Sequence, residues 1–204
     1  MGHLDVVKSL LRSAAQSAAE PIHRSGLQTA LRRRLAPFSF LNTEVTEQQL
    51  TRAVGRLPGV AAATVRIARG TIAVQLETND SQSHAVMLVP ERTSFAPRGA
   101  KEITFKAVPA DMAASSKTAD VCSAIASEVA RALWHPLLRA QPNSPHLAFV
   151  HRNGALLTAD LRTVPEVRAL SHKPLAANII DALALIGIEP QEGSLRLRLG
   201  VAGM

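Results

Sequence analysis

The residues best equipped for chemistry in this chain are scattered. Seven histidines are present, His3, His23, His84, His135, His146, His151 and His172, and no two sit at a zinc-binding spacing such as HExxH. His146 and His151 flank one expected strand, and their offset puts them on opposite faces, which disfavours a shared metal. No serine-nucleophile elbow, phosphate-binding glycine loop or dinucleotide fingerprint occurs. Asp160 and Asp181 stand among apolar neighbours, where burial would raise a carboxyl pKa, but acid–base chemistry needs a converging partner and none is legible. Cys122 is the single cysteine. It excludes an intrachain disulfide, and its place on an apolar face with Ile125, Val129 and Leu133 predicts a buried, inert thiol. No metal site, cofactor or catalytic residue is therefore expected, and an enzyme is the third-ranked reading.

Charge supplies the next clue. The net charge is +7, and residues 1–70 hold ten Lys or Arg against four Asp or Glu. Arg32, Arg33 and Arg34 crowd one helix beside the apolar face of Leu27, Ala30, Leu31 and Leu35. Such a helix can meet anionic headgroups, contact phosphates, or cover a sheet with its arginines toward water. Nucleic acid is disfavoured, because aromatics are 3% of the chain and tyrosine is absent, leaving few platforms for base stacking. An anionic membrane surface stays open as a partner. No apolar run approaches the ~18–20 residues of a membrane span. Cytoplasmic residence is the default expectation, and export by a signal already removed is compatible with the sequence.

The elements that must position these residues are clearest in the middle of the chain. Helices are expected over 4–19 and from Pro21 to Pro37. Thr46 with Gln49 forms a capping-box pattern ahead of Leu50, Val54 and Leu57. Strands at 60–67 and 71–77 alternate cleanly around a turn at Arg69-Gly70. With a strand near Phe38 to Leu41, the order over 38–77 is β-α-β-β, and with its LPGV step this stretch resembles small ferredoxin-like modules, among them heavy-metal-associated domains and the ring-building modules of secretion systems. The paired cysteines of the metal carriers are missing, so the resemblance implies a scaffold with a packing or interaction role and no copper-type site. Further strands fall at 83–90 and 101–108, with Pro90, Pro97 and Gly99 marking a loop between them. Residues 109–119 read as a linker, so the expected division is 1–110 and 117–204, or one continuous domain.

In the second half a long helix over 117–139 carries Cys122, Ile125, Val129 and Leu133, with Trp134 near its end as a core anchor. Asn153-Gly154 signals a hairpin that pairs His151 with Leu156 and Phe149 with Thr158. Both of its faces are substantially apolar, so protein, another subunit or an apolar ligand is expected to cover each. Residues 174–187 read as a helix apolar nearly all round, and 194–199 as a strand with a leucine face and an arginine face. The fold class expected is α+β, a mostly antiparallel sheet with helices packed on one side. The function expected is non-enzymatic binding of an apolar or amphiphilic ligand, with lipid the leading class, lined by Phe149, Leu156, Trp134, Ile179 and Leu183 and steered by Arg32, Arg33 and Arg34 toward anionic groups. The rival is a homo-oligomeric assembly protein whose apolar faces another copy closes.

Overall fold

The computed structural model describes residues 42–95, 99–134, 150–174, 177, 180–181 and 183–201. The helices expected before residue 37, the strand at 38–41, Arg32, Arg33, Arg34, Phe149 and Ile179 lie outside them. The described residues form an α+β fold in which a large antiparallel sheet has helices packed against it.

Strand β1 (Asn42–Thr46) runs directly into helix α1 (Glu47–Gly55), and Thr46 sets the join. Its Oγ1 accepts from the Gln49 amide at 3.3 Å, while Gln49 Oε1 accepts from the Thr46 amide at 2.8 Å. This capping box satisfies two amides that a helix start otherwise leaves without partners. Leu50, Ala53 and Val54 then bury one face of α1.

Strand β2 (Val60–Ala68) and strand β3 (Thr71–Thr78) pair around Arg69-Gly70 as their alternation predicts, and Gly70 takes φ +83° in the turn. Strand β4 (Ser83–Phe95) and strand β5 (Lys101–Val108) extend the sheet. Pro90 does not open a loop as the sequence implied. It lies within β4, opposite Phe105, where a register shift between Pro90 and Arg92 bends the strand. A proline lacks a ladder donor, and an irregular step is where a sheet tolerates it. Strands β6 (Val150–Asn153) and β7 (Leu156–Asp160) complete a six-stranded sheet in the order β2-β3-β4-β5-β7-β6.

The register lines up the buried side chains in cross-strand rows. Val65, Val74 and Val86 form one row, and Ile67, Ile72, Leu88 and Ala107 the next. Helix α2 (Ser116–Trp134) packs on that side. The expected linker at 109–119 is instead a 3-10 turn over Ala110–Ala114 followed by the start of α2, with Thr118 already buried. From Val121 to Ser127 every residue of α2 is buried, so no face of the helix is left to water there. It touches α1, β1 and strands β5, β6 and β7. Alanine, serine and cysteine permit this, because small side chains let backbones approach from all sides.

A second sheet joins the two ends of the described chain. Strand β8 (Leu183–Gln191) and strand β9 (Ser194–Val201) form a hairpin, and β1 pairs antiparallel with β9 from Asn42↔Arg198 to Thr46↔Ser194. Two expectations are corrected here. Residues 183–187 are strand and not the end of a helix, although the described residues among 174–181 are helical. A short apolar run reads alike as buried strand or buried helix, and pairing with β9 decides it. The strand expected at 38–41 lies outside the described residues, and the strand that precedes α1, β1 at Asn42–Thr46, belongs to the sheet of β9 and not to that of β2 and β3, so the packing of 42–78 is not that of a ferredoxin-like module. Inward-facing Val45, Leu185, Ile188, Leu195, Leu197 and Leu199 join the same core as the large sheet.

Hydrogen bonds fasten the sheets together. The Gly70 amide donates to Pro190 O at 3.1 Å, the Gly193 amide to Ile67 O at 3.1 Å, and Thr93 Oγ1 to Ile186 O at 3.2 Å. The edge strand β2 is closed by side chains of α1: Thr51 Oγ1 accepts from the Val65 amide at 3.1 Å and Glu47 Oε1 from the Ile67 amide at 2.6 Å. These bonds occupy positions that an added strand would need.

Candidate functional site

The charged residues that looked isolated in sequence converge at one end of the large sheet. Lys101, the first residue of β5, is fully buried. Its Nζ lies 5.4 Å from the centre of the Phe95 ring and 3.5 Å from Asp181 O. Asp160, the last residue of β7, accepts through Oδ1 from the backbone amides of Lys101 at 3.3 Å and Arg162 at 2.9 Å. The Arg162 guanidinium donates to the Asp181 carboxylate. Burial pushes the Lys101 ammonium below the usual lysine range, Arg162 pushes the same way, and Asp181 opposes them. Phe95, Lys101, Asp160, Arg162 and Asp181 thus tie together three segments far apart in sequence. Lys101 has no exposed surface, and the Arg162–Asp181 ion pair beside it is partly open to water, its side chains 31% and 18% exposed. Sequence reasoning flagged Asp160 and Asp181 and missed Lys101, since nothing in a strand beginning Lys-Glu-Ile announces a buried cation.

Other titratable groups follow burial. The Cys122 thiol is fully buried and pushed up to about 12, the inert state expected for it. His84 Nε2 lies 3.2 Å from Thr118 Oγ1, and burial, aided by the Lys117 charge, holds its pKa below the ordinary histidine range. Arg131 bridges Glu128 and, at 3.5 Å, Glu166 of helix α3 (Pro165–Ser171). Burial raises the Glu128 carboxyl against the opposing pull of Arg131. Among the described residues no group of three or more His, Cys, Asp or Glu is arranged to hold a metal ion, and no helix is long and apolar enough to cross a membrane.

The nominated ligand residues that can be placed stand on three different elements, α2, β7 and β8. Trp134 is buried in the core at the end of α2, as an anchor. Its Nε1 has no hydrogen-bond partner among the described residues. Leu156 is half-buried on the other side of the large sheet, sharing a register row with Lys106, while its neighbours Leu157 and Ala159 face the core. Leu183 begins β8, opposite Val201. The hairpin register also differs from expectation. Asn153 pairs with Leu156 and His151 with Thr158, so the turn residues are Gly154 and Ala155. Gly154 takes φ +59° at the first turn position, a geometry a side chain would strain. The shift moves each pairing by two residues, so the predicted division of the two faces survives.

The side of the large sheet that faces away from α2 is unusual. Ala73, Met87 and Val108 stand in one cross-strand row, with Arg66 at its end. Met87 and Val108 are 39% and 37% exposed. Ala85 on the row to one side is exposed, and Val89 and Leu156 on the row to the other are half-buried. A sheet face turned to water is normally polar. This one carries an apolar stripe whose rim is Arg66, Glu77 and Lys106, all exposed. The legible signal was the run AVMLV at 85–89, apolar at odd and even positions alike, which a strand with one wet face does not need. The chain matches no protein-family model, no curated protein and no solved structure.

Proposed function

We propose that this chain is a non-enzymatic binding protein that works through the open face of its six-stranded sheet, engaging an apolar or amphiphilic partner surface. The observation that carries the reading is the direct cross-strand pair of Met87 and Val108, both exposed, on a face whose other apolar members are Ala73, Ala85, Val89 and Leu156. Exposed aliphatic side chains contribute little to folding and gain about 25 cal/mol per Å2 when a partner removes them from water. The test is binding of anilinonaphthalene sulfonate, whose fluorescence rises on apolar protein surface. The native chain is expected to enhance it, and the double variant Met87→Gln, Val108→Thr to lose that enhancement at an unchanged melting temperature. Equal fluorescence from both proteins would overturn the reading.

An internal carrier of amphiphilic molecules is the second reading, and one observation favours it. Trp134 Nε1 is a buried donor without a partner among the described residues, and such a donor is stabilised by an acceptor oxygen. Trp134 is the only tryptophan in the chain, so its emission reports on itself alone. Titration with a long-chain fatty acid should then shift that emission saturably. An unchanged spectrum, together with native mass spectrometry showing no extra mass on the purified chain, would remove this reading.

A further inference from the structure

We infer that Met87 is a site of reversible oxidation by peroxide, and that its sulfoxide weakens the open face of the six-stranded sheet as a binding surface. The second half of the inference rests on the reading that this face binds. The chain holds one cysteine and four methionines. Cys122 is fully buried, and burial pushes its thiol up to about 12. At neutral pH almost none of it is the thiolate that peroxide attacks. Met112, in the 3-10 turn over Ala110–Ala114, is half-buried and packed against the core. Met1 and Met204 lie outside the described residues. Met87 is exposed. Among the described residues, then, a water-borne oxidant meets sulfur chiefly at Met87.

Its neighbours leave that sulfur open. Ala73 on β3 and Val108 on β5 stand directly across from it, and Ala85 and Val89 flank it along β4 on the same face. Alanine and valine side chains end at Cβ and Cγ, short of the methionine Sδ. In the reaction the Sδ lone pair attacks one oxygen of hydrogen peroxide. An S–O bond forms and the O–O bond breaks. The proton left on the transferred oxygen passes to the departing hydroxide, which leaves as water. The sulfur loses two electrons and the peroxide gains them. The product replaces a flexible apolar tip with a polar hydrogen-bond acceptor. None of the four neighbours carries a side-chain donor, so a partner that covers the sulfoxide meets an acceptor they cannot satisfy. The core is untouched, because the altered side chain stands on the outward face. Oxidation therefore acts on binding and spares the fold.

The test treats the full chain with hydrogen peroxide and follows two readouts, peptide mass for the site and anilinonaphthalene sulfonate fluorescence for the face. Met87 should gain one oxygen roughly tenfold faster than Met112, since susceptibility follows exposure. Fluorescence should fall in step with that gain, toward the level of Met87→Gln. The pair of methionine sulfoxide reductases, which between them take both epimers, should remove the oxygen and restore the fluorescence. Met87→Leu should hold through peroxide whatever fluorescence it starts with, while Met112→Leu should respond as the native chain does. Equal rates at Met87 and Met112 would overturn the site. Oxidation at Met87 with fluorescence unchanged would overturn its effect on the face and leave the face itself standing. A native chain that never enhances the probe overturns the reading of the face and the effect together, and the mass of the Met87 peptide then still decides the oxidation site.

Discussion

The two sheets treat water differently on their outward faces. On the small sheet, Arg196 of the central strand β9 stands between Glu44 on β1 and Glu189 on β8, and Arg198 pairs with Glu189 at 2.9 Å. Each charge there has an opposite neighbour, and the large apolar side chain that sheet leaves in water, Ile186 at 54% exposed, stands singly at the irregular step of β8. The large sheet places Ala73, Met87 and Val108 where such a ladder would run. Inward, the two are alike, since leucine, isoleucine and valine from both enter one core. Burial therefore explains the fold without separating the sheets, and only their outward faces differ, one built as a ladder of charges and the other crossed by an apolar stripe.

The comparison breaks first, and with the largest effect, at the inward faces. Leu88→Ala on the large sheet and Leu197→Ala on the small one remove fully buried side chains. Each should cost about 2–5 kcal/mol in urea unfolding. If Leu197→Ala costs nothing, the small sheet is an appendage and the shared core fails. Next comes the strap between the sheets. Glu47→Ala deprives the Ile67 amide of its acceptor and should cost about 1–3 kcal/mol. It should also promote aggregation by freeing the β2 edge, which light scattering would detect.

Acid tests the joint between the large sheet and α2. His84 has a folded pKa below its unfolded value of 6.5, so the unfolded chain binds the proton more readily. Stability from this group is whole above pH 6.5 and falls as pH drops through 6.5 toward the lower folded pKa. His84→Gln should flatten that limb of the melting-temperature profile, and an equally steep fall in the variant would assign the acid sensitivity to another group. The smallest effect sharpens the contrast between outward faces. Arg198→Ala should cost under about 1 kcal/mol, less in high salt, because the pair with Glu189 is well exposed. Met87→Gln should change stability as little and yet weaken probe binding, since Val108 stays exposed.

Legibility in the sequence followed the range of the interactions. The Thr46–Gln49 box, the Arg69-Gly70 turn, the strands of β2, β3 and β5 and the leucine alternation of β9 are each decided by near neighbours, and the structure has them. The run 183–187 was misread because its hydrogen-bond partners lie in β9, beyond any local pattern. The Gly154-Ala155 turn was displaced by one position because Asn-Gly is a statistical signal, and the observed pairing instead sets Asn153 opposite Leu156. Convergence of Lys101, Asp160, Arg162 and Asp181 depends on the sheet order and had no signature in any one segment. The apolar open face was written plainly at 85–89, but which side of β4 would be covered depends on where α2 packs.

Pairing of β1 with β9 also gives the molecule a calendar. A ribosome that has released residues 42–46 must add roughly 150 more before the partner strand exists, an interval of about 8 to 30 s at ordinary elongation rates. Through that interval the six strands of the large sheet can emerge in sequence order while β1 waits without its ladder. The last strand made is the one that closes the first, so a chain stalled or clipped before residue 194 keeps the start of its small sheet exposed, a ready substrate for a chaperone or a protease.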